Sequence, residues 1–279
     1  MSTIQALVLA VLQGATELFP VSSLGHAVVL PALLHWHFDR AGAVFLPFLV
    51  MLHVGTAAAL LAYFWRDWIA IARGVLGLAP AHERAEGRRV FLLIVVATIP
   101  AVIVGFTLEK FFRHLFGAPL VAAVFLVVNA ALLLAGERLR AAGNRPLSAL
   151  TLRDALVIGI WQCAALIPGI SRSGATMVGG LARGIDHEDA AHFSFLIATP
   201  VIAGAAVLEV PKLLHHGAFA AGAFGIAAMA AVVAGVTAFA STAFLMRWFR
   251  DHDRWALNPF AWYCVVAGLG SLALLAVGF

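Results

Sequence analysis

Apolar residues along this chain gather into runs long enough to cross a bilayer, which takes about 20 mostly apolar residues in a helix. Six segments qualify, at roughly 43–65, 89–109, 118–136, 191–210, 220–246 and 257–278. Two further apolar regions, 3–37 and 152–184, are each interrupted midway. The first is broken by Phe19-Pro20-Val21-Ser22-Ser23-Leu24-Gly25-His26. The second is broken by Pro168-Gly169-Ile170-Ser171-Arg172-Ser173-Gly174-Ala175-Thr176. Pro, Gly and Ser at this density release backbone polar groups from the helix. Such backbone is tolerated at membrane depth only inside protein or beside a water-filled cavity. Each half-segment is too short to span alone, so the pattern predicts two re-entrant helix–loop–helix hairpins.

The order is hairpin, three spans, hairpin, three spans, which reads as an internal repeat with halves at about 1–140 and 150–279 of a single membrane domain, 1–279. Gln13 and Gln162 each lie nine residues before a serine (Ser22, Ser171) and twelve before a glycine (Gly25, Gly174). Downstream, Phe48-Leu49-Val50 matches Phe195-Leu196-Ile197 at an offset of 147. Three spans per half is odd, so the halves are inverted relative to each other. Interrupted segments in corresponding positions of inverted repeats put a site near the midplane. The expected fold is an all-α polytopic membrane protein, an inverted-topology repeat of six transmembrane helices and two re-entrant hairpins.

Composition agrees: 63% of the 279 residues are hydrophobic and 11% charged, against roughly 25% charged in soluble domains. A soluble enzyme, a nucleic-acid binder and a disordered regulator are excluded. The pI of about 9.7 then records orientation rather than a nucleic-acid partner. Of the 18 Lys and Arg residues, 13 fall in the loops after spans one, three and five, and 4 on the opposite side (Arg40, Lys110, Arg113, Lys212). Arg172 belongs to neither. The positive-inside rule puts the larger group in the cytoplasm and both termini outside. The first hairpin then enters from outside, the second from the cytoplasm, and their tips can meet. Cys163 and Cys264 form no disulfide framework or metal-ligand spacing.

An ionisable residue inside a bilayer is a functional candidate by default. Glu17 ends the first half-helix, four residues after Gln13 and on the same helix face. Ser22, Ser23 and His26 follow. A carboxylate with an amide oxygen suits a hard cation such as Mg²⁺ or Ca²⁺. A serine can attack phosphorus once a base activates it, and His26 is the base within reach. The second break is built for an anion: Gly169 and Gly174 admit close backbone approach, a helix N-terminus resumes near Gly174, Ser171, Ser173 and Thr176 add hydroxyls, and Arg172 adds a fork of donors suited to phosphate oxygens. Attack by a metal-bound water, with His26 as acid or base, is the alternative chemistry. A lipid-phosphate transporter is the alternative function, since a midplane anion site between repeats serves transport too. Structural roles compete as well. Ser22 and Ser23 can cap a helix, Glu17 and Arg172 can form an ion pair, and His53, within span one, is expected to hydrogen-bond a neighbouring helix.

These two motifs, Gln13-Gly-Ala-Thr-Glu17-Leu-Phe-Pro20-Val-Ser22-Ser23-Leu-Gly25-His26 and Pro168-Gly-Ile-Ser171-Arg172-Ser173-Gly174-Ala-Thr176, resemble the two signatures of the bacitracin-resistance type undecaprenyl-diphosphate phosphatases. The resemblance covers essentially the whole chain. It implies a bacterial inner-membrane enzyme that hydrolyses undecaprenyl diphosphate to undecaprenyl phosphate and inorganic phosphate, recycling the lipid carrier of cell-wall synthesis and lowering sensitivity to bacitracin. It also implies a divalent cation, a polyprenyl diphosphate substrate and a site opening to the outer side. By position, Glu17 matches the family's acidic residue near metal and phosphate, with Gln13 beside it. Ser22, Ser23 and His26 match the polar set of the first loop, and Ser171, Arg172, Ser173, Gly174 and Thr176 its phosphate loop. Two positions depart: Gln13 stands where many members have a second Glu, shifting weight onto Glu17, and Leu24 where Thr is common. Small residues such as Gly222, Ala223 and Gly225 would allow a homodimer.

Overall fold

The computed structural model describes residues 1–36, 45–115, 118–140, 145–215, 223–252 and 254–278. The described chain is helical: α1 (Thr3–Thr16), α2 (Ser23–Leu33), α3 (Phe45–Tyr63), α4 (Trp65–Val75), α5 (Ala81–Thr107), α6 (Glu109–Leu115), α7 (Pro119–Leu139), α8 (Leu152–Cys163), α9 (Arg172–Ala182), α10 (His187–His215), α11 (Ala223–Asp251) and α12 (Asn258–Ala276). Short 3₁₀ turns cover Leu147–Ala149 and Ala164–Leu166.

Among the described residues, five helices are long and apolar enough to cross a membrane: Ala81–Thr107, Pro119–Leu139, His187–Leu208, Phe224–Asp251 and Asn258–Ala276. They coincide with five of the six expected spans. The expected span over 43–65 differs: Pro47–Tyr63 and Trp65–Val75 meet at 79°, and they make a sixth span only if the bent pair is taken as one. The bend falls at Phe64, which leaves helical geometry (φ −96, ψ 30). Arg66 and Asp67 follow at once. A straight continuation would carry these charges along the apolar axis of α3, whereas the bend lays α4 against the start of α5. Arg40 and Gly222 lie outside the described residues.

The interrupted regions each become two short helices, α1/α2 and α8/α9, neither member longer than 14 residues. Both first helices open on a reciprocal cap, Ser2 with Gln5 and Thr151 with Asp154, which satisfies two orphan donors at each end. Helix α1 packs on α11 and α8 on α5, so the first short helix of each half leans on a long helix of the other.

The two breaks touch. A Cβ at Gly25 would sit 2.9 Å from the Gly169 Cα. At Gly174 it would sit 3.3 Å from the Pro20 Cβ. With the offset of 149 that separates Gly25 from Gly174, Pro20 corresponds to Gly169, so these two contacts are mates. The caps correspond too: Ser22 Oγ accepts from the Gly25 N–H at 3.2 Å and Ser171 Oγ from the Gly174 N–H at 3.1 Å. Gly169 has φ +105, the left-handed region that glycine enters freely, and a Cβ there would run into the Ala122 carbonyl.

Candidate active site

The site is assembled from residues 155 positions apart. Glu17, at the end of α1, is 7% exposed. Its Oε1 accepts from Arg172 Nη2 at 3.2 Å. Its Oε2 accepts from Gln13 Nε2 at 3.0 Å and from Ser23 Oγ, and lies 3.3 Å from His53 Nε2. The Arg172 guanidinium also donates from Nη1 to the Ser194 carbonyl at 3.0 Å, while its buried Nε–H has no acceptor among the described residues. Gln13 Oε1, likewise buried, has no donor there. One carboxylate therefore gathers a guanidinium, an imidazole and two neutral donors, and an unused donor on Arg172 and an unused acceptor on Gln13 stay beside it.

A buried asparagine ties the breaks together. Asn129 on α7 is 0% exposed. Its Nδ2 donates to the Pro20 carbonyl at 2.9 Å, and its Oδ1 accepts from the Ser171 N–H at 2.9 Å. It closes backbone groups that the two breaks leave open, which is what buried polar groups require.

The structure sorts the predicted residues into two sets. Glu17, Ser22, Ser23, Ser171 and Arg172 line one cavity of about 410 Å³. Ser173, Gly174 and Thr176 are buried and do not line it. Ser173 Oγ donates to the Phe19 carbonyl at 3.2 Å, and Thr176 Oγ1 reaches the Arg172 carbonyl at 2.8 Å and Ser194 Oγ at 2.7 Å. In this structure both hydroxyls bond within the protein, to the opposite break and to α9 and α10, and the Gly174 N–H is taken by Ser171. His26 is turned away from the serine hydroxyls. Its Nδ1 faces the Ser22 carbonyl at 2.7 Å and its Nε2 the Tyr263 hydroxyl at 2.8 Å, so neither ring nitrogen is left for a serine hydroxyl. Ser22 itself holds φ 69, ψ 94, a strained conformation for a residue with a side chain, and its hydroxyl caps α2. Ser23 is the serine turned toward the carboxylate.

Sequence reasoning left His53 and Asn129 outside the site. His53 does meet a neighbouring segment, and that segment is Glu17; its Nδ1 faces the Leu49 carbonyl at 2.7 Å. A histidine and an asparagine set within apolar spans were the available signal.

The cavity has two characters. Glu17, Ser22, Ser23, His53, Gln162, Ser171 and Arg172 make a polar end. Leu49, Val50, Val102, Phe106, Ile202 and Leu208 are among the apolar residues of the remainder. Such a space suits an amphipathic ligand with a small anionic head. No cluster of three or more His, Cys, Asp or Glu side chains is found among the described residues. At the polar end the cavity is lined by the Glu17 carboxylate and by Gln162, whose Oε1 is open, and Gln13, bonded to Glu17, carries a second open Oε1; a carboxylate with amide oxygens fits a hard cation that draws its other ligands from water.

Outside the membrane-spanning helices, Asp154 anchors the start of α8. It is 1% exposed and accepts from Arg183 Nε at 2.6 Å, Arg145 Nη2 at 3.0 Å, and the N–H and hydroxyl of Thr151. Burial pushes its carboxyl pKa up. The hydrogen bonds from Thr151, Arg183 and Arg145 outweigh this and hold it well below the usual carboxylate range.

A family model described as bacitracin resistance protein BacA matches residues 6–270. An undecaprenyl-diphosphatase of Granulibacter bethesdensis is 64% identical over 99% of this chain and 97% of its own. One of Acidiphilium cryptum is 61% identical over 100% of both chains. One of Gluconacetobacter diazotrophicus is 56% identical over 99% of this chain and 98% of its own.

Proposed function

The chain belongs to the BacA family of bacitracin resistance proteins, and from that premise we propose that it hydrolyses undecaprenyl diphosphate to undecaprenyl phosphate and inorganic phosphate in the bacterial inner membrane. One observation carries the reading: Arg172, with its Nε–H unused, stands against Glu17 and Ser23 at the polar end of a cavity whose other end is apolar.

In this mechanism the diphosphate draws the Arg172 guanidinium off Glu17, and the fork of donors grips phosphate oxygens. Ser171 flanks the same head. Ser23 is the nucleophile: its Oγ attacks the terminal phosphorus, its proton passes to Glu17, and the bridging oxygen leaves with undecaprenyl phosphate. Water then hydrolyses the phosphoserine and releases phosphate. His53 and Gln13 hold Glu17 in place throughout. A Mg²⁺ or Ca²⁺ ion held by Glu17 and Gln13 would neutralise charge on the transferring oxygens. His26 acts as a positioning residue that fastens the strained Ser22 turn to Tyr263 on α12. Ser173, Gly174 and Thr176 position Arg172 by closing the second break on the first.

The mated Gly25–Gly169 and Gly174–Pro20 contacts, and the matching serine caps, support an inverted repeat of halves 1–140 and 150–279. With thirteen basic residues in the cytoplasm, both termini and the cavity rim at Glu109 and Phe112 face the outer side.

The test is inorganic phosphate release from undecaprenyl diphosphate by purified protein in detergent, with Mg²⁺, with Ca²⁺ and with chelator. Release that depends on the cation and is lost in Glu17→Ala and Arg172→Ala is expected. Folded protein that releases none with either metal would move the reading to transport of a lipid phosphate, which detergent abolishes.

A further inference from the structure

The cavity that starts at Glu17 and Arg172 is not closed by protein at its apolar end. There it lies between α5 and α10, with Val102, Gly105 and Phe106 on one side and Val201, Gly204 and Leu208 on the other. Val102, Phe106 and Leu208 are 53%, 73% and 57% exposed, so the apolar end opens sideways onto the surface that hydrocarbon would cover. Each helix puts a glycine on this seam. A Cβ at Gly204 would meet nothing within 4 Å, and one at Gly105 only the Leu166 side chain at 3.6 Å. Neither glycine is needed for the helices to approach, unlike Gly25 and Gly169 where the two breaks meet. Glycine inside a helix costs about 1 kcal/mol relative to alanine, and here the protein gets free width in return. A separate observation marks the same cavity as a binding space. Gln162 lines it, is 2% exposed, and its Oε1 has no partner among the described residues.

We propose that the seam between α5 and α10 is the slot through which the polyprenyl tail of the substrate leaves the site for the bilayer, with Gly105 and Gly204 setting its width. This rests on the phosphatase reading. A volume of about 410 Å³ is at the small end of the ~300–1,000 Å³ that encloses a drug-sized ligand. It takes a diphosphate and the first isoprene units, and the rest of so long a chain has to lie outside. Lipid tails are as apolar as the prenyl chain, so its exit into the bilayer meets no solvation penalty. The slot lets Arg172 hold the head in a closed polar end while the tail never crosses it.

The experiment compares Gly204→Leu and Gly105→Leu with wild type, in detergent, on undecaprenyl diphosphate and on a short, water-soluble isoprenyl diphosphate. Leucine favours the helix at either position, and melting temperatures check folding. The ratio of kcat/KM for the long substrate to that for the short one is expected to fall about 10-fold or more in each variant, the scale of a few misplaced methylenes in an apolar site. Val232→Trp, on the 67% exposed face of α11 and away from the cavity, should leave the ratio unchanged. Should a leucine variant fail to fold, Val102→Trp carries the same test. An unchanged ratio in the seam variants overturns the slot. Wild-type protein that releases phosphate from neither substrate overturns the phosphatase reading instead.

Discussion

Gly25→Ala is the sharpest probe of how the two breaks make one site. The added Cβ would stand 2.9 Å from Gly169 Cα, 3.2 Å from Gly169 N and 3.2 Å from Ser22 Oγ. Ordinary carbon contacts are about 3.5–4.0 Å, so the breaks have to separate by roughly 0.5–1 Å, and two of the three obstacles are backbone that cannot turn aside. Overpacking of this kind costs about 1–3 kcal/mol. Function should suffer more than that figure implies. Glu17 and Ser23 ride on the first break and Arg172 on the second, three residues after Gly169, and the Arg172–Glu17 contact is 3.2 Å. A shift near 1 Å in a catalytic pair costs up to ~100-fold. We expect kcat for phosphate release to drop about 10- to 100-fold, with a lower melting temperature in detergent. Gly174→Ala should be milder, since its nearest obstacle is the Leu133 Cδ2 at 3.1 Å, the end of a side chain that can turn. Gly225→Ala, with nothing within 4 Å, should match wild type. If Gly25→Ala kept wild-type kcat and stability, the close packing of the breaks would not be what aligns the site.

Three further outcomes follow from the same geometry. Ser23→Ala should abolish phosphate release, whereas Ser22→Ala removes a helix cap worth about 1 kcal/mol and leaves measurable turnover; the reverse order in a phosphate assay would reject Ser23 as nucleophile. His26→Ala and Tyr263→Phe should lower kcat and melting temperature together, in that order of severity, and a His26→Ala variant with unchanged stability but a lost acidic limb in its pH–rate profile would point to His26 as the base. Asp154→Asn should lower the melting temperature at pH 7. The native carboxyl titrates below its unfolded value of about 3.9, so its contribution is complete above that value and fades as pH falls through the native one. The gap between variant and wild type should therefore narrow in strongly acidic buffer, and a gap that widened there would contradict the assignment.

Five spans, both interruptions and the singling out of Glu17 and Arg172 were legible in the sequence, because each depends on a property the chain carries locally. Apolar run length follows from bilayer thickness, and a carboxylate and a guanidinium at membrane depth need each other or a ligand. The Pro-Gly-Ser composition of the breaks announces free backbone groups. What those groups bond to is a matter of distance in space. Only the fold brought Asn129 from α7 to the Pro20 carbonyl and the Ser171 N–H, and only the fold turned His53 onto Glu17. Ser22, Ser23 and His26 share a motif, and their spacing allowed them to act together. The left-handed twist at Ser22 separated them, sending one hydroxyl to a cap, the other to the carboxylate and the imidazole to Tyr263. The hydroxyls of Ser173 and Thr176 read as phosphate ligands because a hydroxyl on a helix start bonds whatever is nearest, and in this structure the nearest acceptors include the Phe19 and Arg172 carbonyls. Helix length and residue chemistry are written along the chain. Which donor meets which acceptor is decided by the packing of elements far apart in sequence, and in this protein that packing makes the site.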